Sequence, residues 1–338
     1  MTNLRLPYGI GDLSEEVEPI PGRARRVRCY VQGCNHVLRT PTRTRRGDIC
    51  PEHGIRCHYS SAGATYSYAK PARNIIASPD QFSRNIIGNP FKYESHRLGL
   101  ENSEDSLSWN VWRSLQEAGV LHKIVELFTG ERIEVEPFLY LWGICSTDDD
   151  YKPWDLLVEA RGHFESNLPV DRPLTEPDIA LHLPGKYLIL IEAKFTSPNT
   201  CYERGPRKDA ASLTLDELLA IYQFSGMRIM NIRRSLAADR VHYQLWRNVV
   251  FAEWMARNDH RQTKAYHLNL VRDGYEDDGA AEFRQLIHPS RRGRFRRVTW
   301  EQIHDRCRSN SRVSRLCRYL ERKTARLQPA FNIRGRGI

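Results

Sequence analysis

The sequence predicts an α/β fold: a mixed β-sheet flanked by helices, preceded by a small cysteine-bearing segment and followed by a basic helical one. Three observations predict it. Two apolar runs, residues 178–183 and 187–195, are separated only by Pro184-Gly185-Lys186, which is the signature of a hairpin. Helical spacing lies on both sides of them, with Leu107, Val111 and Leu115 upstream and capping-box pairs Thr214/Glu217 and Thr299/Gln302 downstream. The resulting order of helix, hairpin strands, helix, strands and helix suits a sheet covered by helices.

Taken along the chain, residues 1–20 form an acidic, proline-containing lead without the apolar stretch of a signal peptide. This predicts a cytoplasmic protein whose thiols stay reduced. Residues 21–62 are rich in Cys, His and Arg, and residues 63–98 read as a connector packed on the next domain. A central domain is expected over 99–305. Its first helix starts near Ser103 and stops at Gly119. Residues 133–141 suggest a strand, weakened by Pro137. Residues 154–164 suggest a helix, then comes the hairpin. A helix after Thr214 carries Leu218, Tyr222 and Ile229 on one face, and residues 248–254 and 265–271 suggest two more strands. Residues 306–338 form a basic tail, with a helix expected over 313–327 and Val313, Leu316, Leu320 and Leu327 on its apolar stripe.

The chain of 338 residues is long enough for one large domain or two smaller ones. No stretch approaches the roughly 18 uninterrupted apolar residues of a membrane helix, so no membrane partner is expected. The formal net charge of +10 suggests a polyanionic partner. The charge is unevenly placed. Residues 23–47 carry many arginines and no acid. From Arg284 onward, sixteen Arg and Lys residues face three acids, Glu301, Asp305 and Glu321.

The most apolar run, Tyr187 to Ile191, leads straight into Glu192, Ala193 and Lys194, and Asp178 opens its hairpin partner. Residues alternate sides along a strand, so Glu192 and Lys194 share one face. The hairpin brings Asp178 beside Glu192. Glu104 leans toward the inward stripe of the first helix, although Glu101 and Asp105 compete with it. Converging carboxylates repel unless a cation neutralises them, and hard oxygen ligands suit Mg²⁺ or Mn²⁺. Such an ion activates water and neutralises a phosphodiester. A neighbouring lysine can orient that water or stabilise the phosphate.

In these residues the chain resembles the PD-(D/E)xK nuclease superfamily, the restriction-endonuclease-like fold. Pro177-Asp178 corresponds to "PD", Glu192-Ala193-Lys194 to "(D/E)xK", and ENSEDSLSWNVWRSL to the family's first helix with its acidic residue. The resemblance covers roughly residues 100–305 and implies a mixed sheet flanked by helices and Mg²⁺-dependent phosphodiester hydrolysis. Asp178, Glu192 and Glu104 are then the metal ligands and Lys194 the catalytic lysine. Tyr222-Gln223 is a weaker counterpart of a Gln or Tyr that some members carry on the next helix. His182 is expected to be structural.

Cys29-x4-Cys34, a fifteen-residue spacer and Cys50-x2-His53 suit a tetrahedral Zn²⁺. So short a segment cannot bury much core, and a metal would supply its folding free energy. The segment resembles a zinc ribbon. Cys57 could replace His53, and His36 and His58 stay open as ligands. Arg39, Arg43, Arg45 and Arg46 fall on the ribbon loop, where arginine can grip phosphate or read guanine. Cys145, Cys201, Cys307 and Cys317 read as ordinary thiols.

The expected function is a metal-dependent endonuclease, acting on DNA in restriction, anti-phage defence or a mobile element, with a homodimer or a partner protein gating cleavage. The alternative is a non-catalytic nucleic-acid-binding or scaffold protein on the same fold, which would not need the set Asp178, Glu192 and Lys194. A zinc hydrolase would call for an H-E-x-x-H pattern, and the sequence has none.

Overall fold

A computed structural model describes residues 25–31, 33–42, 46–60, 63–81, 98–146, 152–168, 174–203, 213–222, 240–259, 263–275 and 277–333. The chain divides into two units. Met1–Gly119, Phe195–Ser197 and Trp300–Ile338 make the first, and Val120–Lys194 and Pro198–Thr299 the second. The expected central segment 99–305 is therefore shared between them.

The first unit opens with two antiparallel ladders, β1 (Arg26–Arg28) with β2 (Val37–Arg39) and β3 (Ile55–Ser60) with β4 (Gly63–Tyr68). β4 lies where the sequence suggested only a connector. Its partner β3 supplies the missing signal, since a ladder depends on both strands and neither run is strongly apolar. Helix α1 (Glu104–Glu117) follows, capped by Ser103, whose side chain accepts the Ser106 N–H, and closed at Gly119. Asn110 of α1 accepts the Ile76 N–H and donates to the Asn74 carbonyl, which ties residues 74–76 to the helix.

The second unit begins with α2 (Leu121–Thr129), β5 (Phe138–Leu141), β6 (Ile144–Cys145) and α3 (Asp155–Glu165). β5 starts only after Pro137, which has no N–H to give to a ladder. The hairpin follows as expected, with β7 (Ile179–Leu183) antiparallel to β8 (Tyr187–Ala193). Gly185 sits in the turn at φ 75°, a conformation that disfavours a side chain. Next come β9 (Cys201–Glu203), α4 (Leu215–Ile221), β10 (Arg240–His242) and α5 (Tyr243–Asn258). The Thr214/Glu217 capping box opens α4, while Gln223 and Ile229 lie outside the described residues. β11 (Lys264–Val271), α6 (Asp277–Leu286) and β12 (Phe295–Thr299) complete the unit.

The six-stranded sheet has the order β12-β11-β8-β7-β5-β6. β11 runs parallel to both β8 and β12, and the remaining pairs are antiparallel, so the sheet is mixed. β9 and β10 form a separate antiparallel pair.

Helix α5 corrects the strand expected over 248–254. Val249, Val250, Phe251 and Ala252 read as a β-run because they are consecutive and apolar. Together with Leu245, Trp246, Met255 and Ala256 they are all buried, on a helix packed across β8 and β11. A helix buried on most of its faces loses the amphipathic rhythm that identifies helices. Burying each such large apolar side chain contributes roughly 1.5–3 kcal/mol.

The chain then returns to the first unit through α7 (Trp300–Cys307) and α8 (Ser314–Arg322), followed by the short strands β13 (Thr324–Ala325) and β14 (Gln328–Pro329). The tail helix expected over 313–327 therefore ends early. Arg326 and Leu327, at φ 55° and 66°, turn the chain between β13 and β14. Leu327 is buried among the apolar residues of the cysteine segment, including Val27, Tyr30 and Leu38. Lys323 is fully buried and faces Glu101 at 3.5 Å, while Thr324 N–H donates to Glu101 at 3.1 Å. Burial raises the Glu101 carboxyl against the pull of the Lys323 charge. Removing one partner of a buried pair leaves an uncompensated charge. Lys323→Met is expected to lower the unfolding free energy by about 3–5 kcal/mol, and the double change Glu101→Leu/Lys323→Met to restore most of it. Urea unfolding checks both, and an unchanged midpoint in the single variant would refute the ion pair's role.

Among the described residues no helix is long and apolar enough to cross a membrane. All eight cysteines are free thiols.

Candidate active site and candidate metal centre

The acidic end of the hairpin is built by strand register. Ile179 pairs with Ile191, so the next positions, Asp178 and Glu192, are neighbours across the ladder. Asp178 Oδ2 accepts the Ala193 N–H at 2.9 Å, which fixes its carboxylate against β8. Glu192 and Lys194 point to the same side, as strand alternation requires, and Lys194 Nζ donates to Glu192 Oε1 at 2.7 Å. The Lys194 backbone N–H donates to Leu270 O at 2.7 Å, so β11 holds the lysine just past the strand's end. Glu192 is 1% exposed and Lys194 5%, whereas Asp178 is half-buried.

Three groups surround Glu192 that sequence reasoning did not single out. Asn248, on α5, donates Nδ2 to Glu192 Oε2 at 2.8 Å. The half-buried Arg247 and the buried His267 add charge and polarity. Burial alone would raise the Glu192 carboxyl. Lys194, and then Arg247 and His267, hold it below the ordinary carboxylate range. Burial also lowers the His267 imidazole to about 4, while its Nδ1 lies 3.1 Å from Leu190 O, so the ring is neutral near pH 7. The signal for Asn248 was available: an amide bordering the apolar run 249–252 needs a partner once that run is buried. Reading that run as a strand hid it.

The donor set fits a hard divalent cation. Asp178 and Glu192 supply carboxylate oxygens, and Asn248 Oδ1 is a buried carbonyl oxygen with no hydrogen-bond partner among the described residues. Tyr222, by contrast, donates to the buried Glu165 at 2.7 Å within the core of the second unit. His182 pairs with Asp259 at 3.1 Å near the hairpin turn, a structural position.

Glu104 belongs to the first unit. Its Oε2 accepts the backbone N–H of Phe195, the residue after Lys194, at 2.8 Å. Glu101 is committed to Lys323 and Thr324, as described above. Asp105 is half-buried in the first turn of α1.

The cysteine segment brings Cys29, Cys34, Cys50 and His53 together, with one ligand atom of each within 4.8 Å of all the others. Local turns set this up. Cys34 N–H donates to Val31 O, and Gly54 N–H to Cys50 O, with Gly54 at φ 62°. Each pair thus sits on a tight turn leading into or out of a ladder. Cys34 Sγ and Cys50 Sγ lie 3.7 Å apart, and Cys50 Sγ and His53 Nδ1 lie 3.5 Å apart. Tetrahedral ligands at zinc–sulfur and zinc–nitrogen bond lengths would be about 3.8 and 3.6 Å apart. Burial raises the Cys29 and Cys34 thiols, which a cation would reverse. The arrangement can therefore hold a metal ion. Cys57 is turned away and accepts the Tyr30 hydroxyl at 2.9 Å, and His36 is exposed with Nε2 3.9 Å from Glu52. His58 lies on β3.

Of the loop arginines, Arg39 is held by Asp48 at 2.9 Å and Arg46 is exposed, while Arg43 and Arg45 lie outside the described residues.

Comparison with curated proteins and with solved structures returns no significant match. A family model described as "Restriction Endonuclease associating with ARP" matches residues 161–323. The matched stretch contains the whole hairpin, Asp178, Glu192, Lys194 and Asn248. Together with the mixed sheet flanked by helices, that match supports a restriction-endonuclease-like family for this chain.

Proposed function

We propose that this protein is a metal-dependent nuclease of the PD-(D/E)xK type, hydrolysing phosphodiester bonds in DNA. The observation that carries the reading is the hairpin end, where Asp178 and Glu192 adjoin and Lys194 lies 2.7 Å from Glu192. A buried ion pair at the edge of a core is weak support for stability, so its presence there favours a chemical role.

Asp178 and Glu192 would hold Mg²⁺ or Mn²⁺, which supplies an activated water and charge neutralisation at the phosphodiester. The Ala193 N–H and the Asn248 amide orient the two carboxylates before substrate arrives. Lys194, once it leaves Glu192 Oε1, can donate to the attacking water or to the phosphate oxygens. Glu104 is proposed as a further acid for metal binding on the motif resemblance alone. Asn248→Ala removes the donor on Glu192 Oε2. It is expected to lower cleavage roughly 10–100-fold and to raise the Mg²⁺ concentration giving half-maximal rate. An unchanged Mg²⁺ dependence would refute that role.

Cys29, Cys34, Cys50 and His53 would hold a structural Zn²⁺, and Arg43, Arg45 and Arg46 would contact the nucleic acid. The matching family's description names a partner, ARP, and we propose that such a partner gates cleavage in a restriction, anti-phage or mobile-element setting. The deciding experiment incubates the protein with supercoiled plasmid, linear duplex, single-stranded DNA and RNA, with and without Mg²⁺ or Mn²⁺. Metal-dependent cleavage of DNA supports the reading. Binding without cleavage under every condition would favour a non-catalytic nucleic-acid-binding protein.

A further inference from the structure

We propose that the exposed arginines of α8 and of the short connection between α7 and α8 form a docking surface for the phosphate backbone of nucleic acid. The inference rests on the nuclease reading only for the substrate's chemistry; the surface itself stands on its own residues. Arg308, Arg312, Arg315 and Arg318 recur every three or four residues, and all four are exposed. On the opposite side Val313, Leu316, Tyr319 and Leu320 are buried, and the Lys323–Glu101 pair anchors the end of α8. Arg315 and Arg318 are therefore presented from a held helix, and Arg308 and Arg312 from the short connection that leads into it.

The guanidinium groups of this cluster are uncommitted, unlike those of Arg39 and of most of the basic run at β12. Arg39 is bound to Asp48. In the basic run before and along β12, Arg294 pairs with Glu253, Arg297 donates to two carbonyls, and Arg292 and Arg296 each donate to one. Among the described residues, no carboxylate or carbonyl takes the side chains of Arg308, Arg312, Arg315 or Arg318. Of the nearby acids, Glu321 lies 3.2 Å from His304 Nε2 and Asp305 3.7 Å from His304 Nδ1.

The arrangement works against the helix that carries it. Arg315 and Arg318, three residues apart on α8, repel each other, and Arg315 stands in the first turn of α8, which has no acid to offset the helix dipole. A local rule broken on a well-packed element points to use by a partner. The chemistry of the face selects that partner. Its exposed residues are arginines, Ser309, Ser311 and Ser314, all donors to phosphate oxygens, and no exposed apolar residue lies between Arg306 and Arg318. A protein partner would need an apolar centre to bury. Arginine without lysine favours bidentate phosphate contact.

The test uses the full chain and a fluorescein-labelled 25-base-pair duplex without added divalent metal, over a salt series. Replacing all four arginines with Gln is expected to weaken binding roughly ten- to hundredfold and to reduce the log–log salt slope by about three to four. The four Arg→Lys changes should keep most of the slope. The single variants Arg315→Gln and Arg318→Gln, expected to remove about one unit each, serve if the quadruple variant does not fold. Unchanged affinity and slope in the singles or the quadruple would overturn the surface. So would displacement of the duplex by poly-glutamate as efficiently as by unlabelled DNA, which would assign the face to an acidic protein. Cleavage is read separately with Mg²⁺. A protein that binds through this face but never cuts keeps the surface and loses the nuclease reading. One that cuts with an unchanged salt slope after substitution loses the surface and keeps the nuclease.

Discussion

Asp178→Asn is expected to reduce metal-dependent DNA cleavage by roughly 10²–10⁴-fold while the protein stays folded and still binds DNA. The substitution is chosen for the geometry. An amide oxygen can still accept the Ala193 N–H that Asp178 now takes at 2.9 Å, so the end of β8 keeps its shape while a negative charge is lost. Lys194→Ala should remove a comparable amount of activity, but its interpretation differs. Glu192 is 1% exposed and depends on Lys194 for charge compensation, so the alanine variant strands a buried carboxylate. That costs up to about 3–5 kcal/mol of stability in the absence of metal. Glu192→Gln/Lys194→Met, which removes both charges, separates the two effects, being inactive but close to wild type in stability. Single-turnover cleavage of a defined duplex, paired with thermal unfolding, reads both quantities. Wild-type cleavage by Asp178→Asn would remove the hairpin end from the mechanism.

Loss of a metal held by the cysteine cluster is expected to be the second large effect. Purified protein is expected to hold about one zinc per chain, and Cys29→Ser/Cys34→Ser to hold none. Apparent free energies for structural zinc are on the order of 10–16 kcal/mol, far more than so short a segment can recover from its own apolar burial. The consequence should spread beyond the ribbon, because Leu327 of the tail packs into the same cluster as Cys29, Cys34 and Cys50. Chelation should therefore increase amide exchange in β1 to β4 and in the β13–β14 turn, and leave β7 and β8 protected. Elemental analysis and hydrogen exchange measure these. Metal-free protein with an intact, protected ribbon would show that buried thiols and apolar packing suffice.

Much of this was legible in the residues themselves. The hairpin, its turn and the shared face of Glu192 and Lys194 follow from a period of two and a Pro-Gly-Lys break, which are local properties. The spacing of Cys29, Cys34, Cys50 and His53 is likewise local, since each pair sits on one tight turn. The Ser103 cap and the Thr214/Glu217 box are written in three or four neighbouring residues. Other features were decided only by tertiary packing. The run 248–254 is apolar whether it is strand or helix, and what makes it helical is its burial against β8 and β11 on most of its circumference. The same packing places Asn248 on Glu192, across 56 residues of chain. Lys323 looked like one more charge on a basic tail. It is buried because Glu101, 222 positions earlier, neutralises it, and that pairing, with the turn at Arg326 and Leu327, ends the tail helix five residues early. Local periodicity reports which way a side chain faces, but only the fold decides which distant charge will meet it.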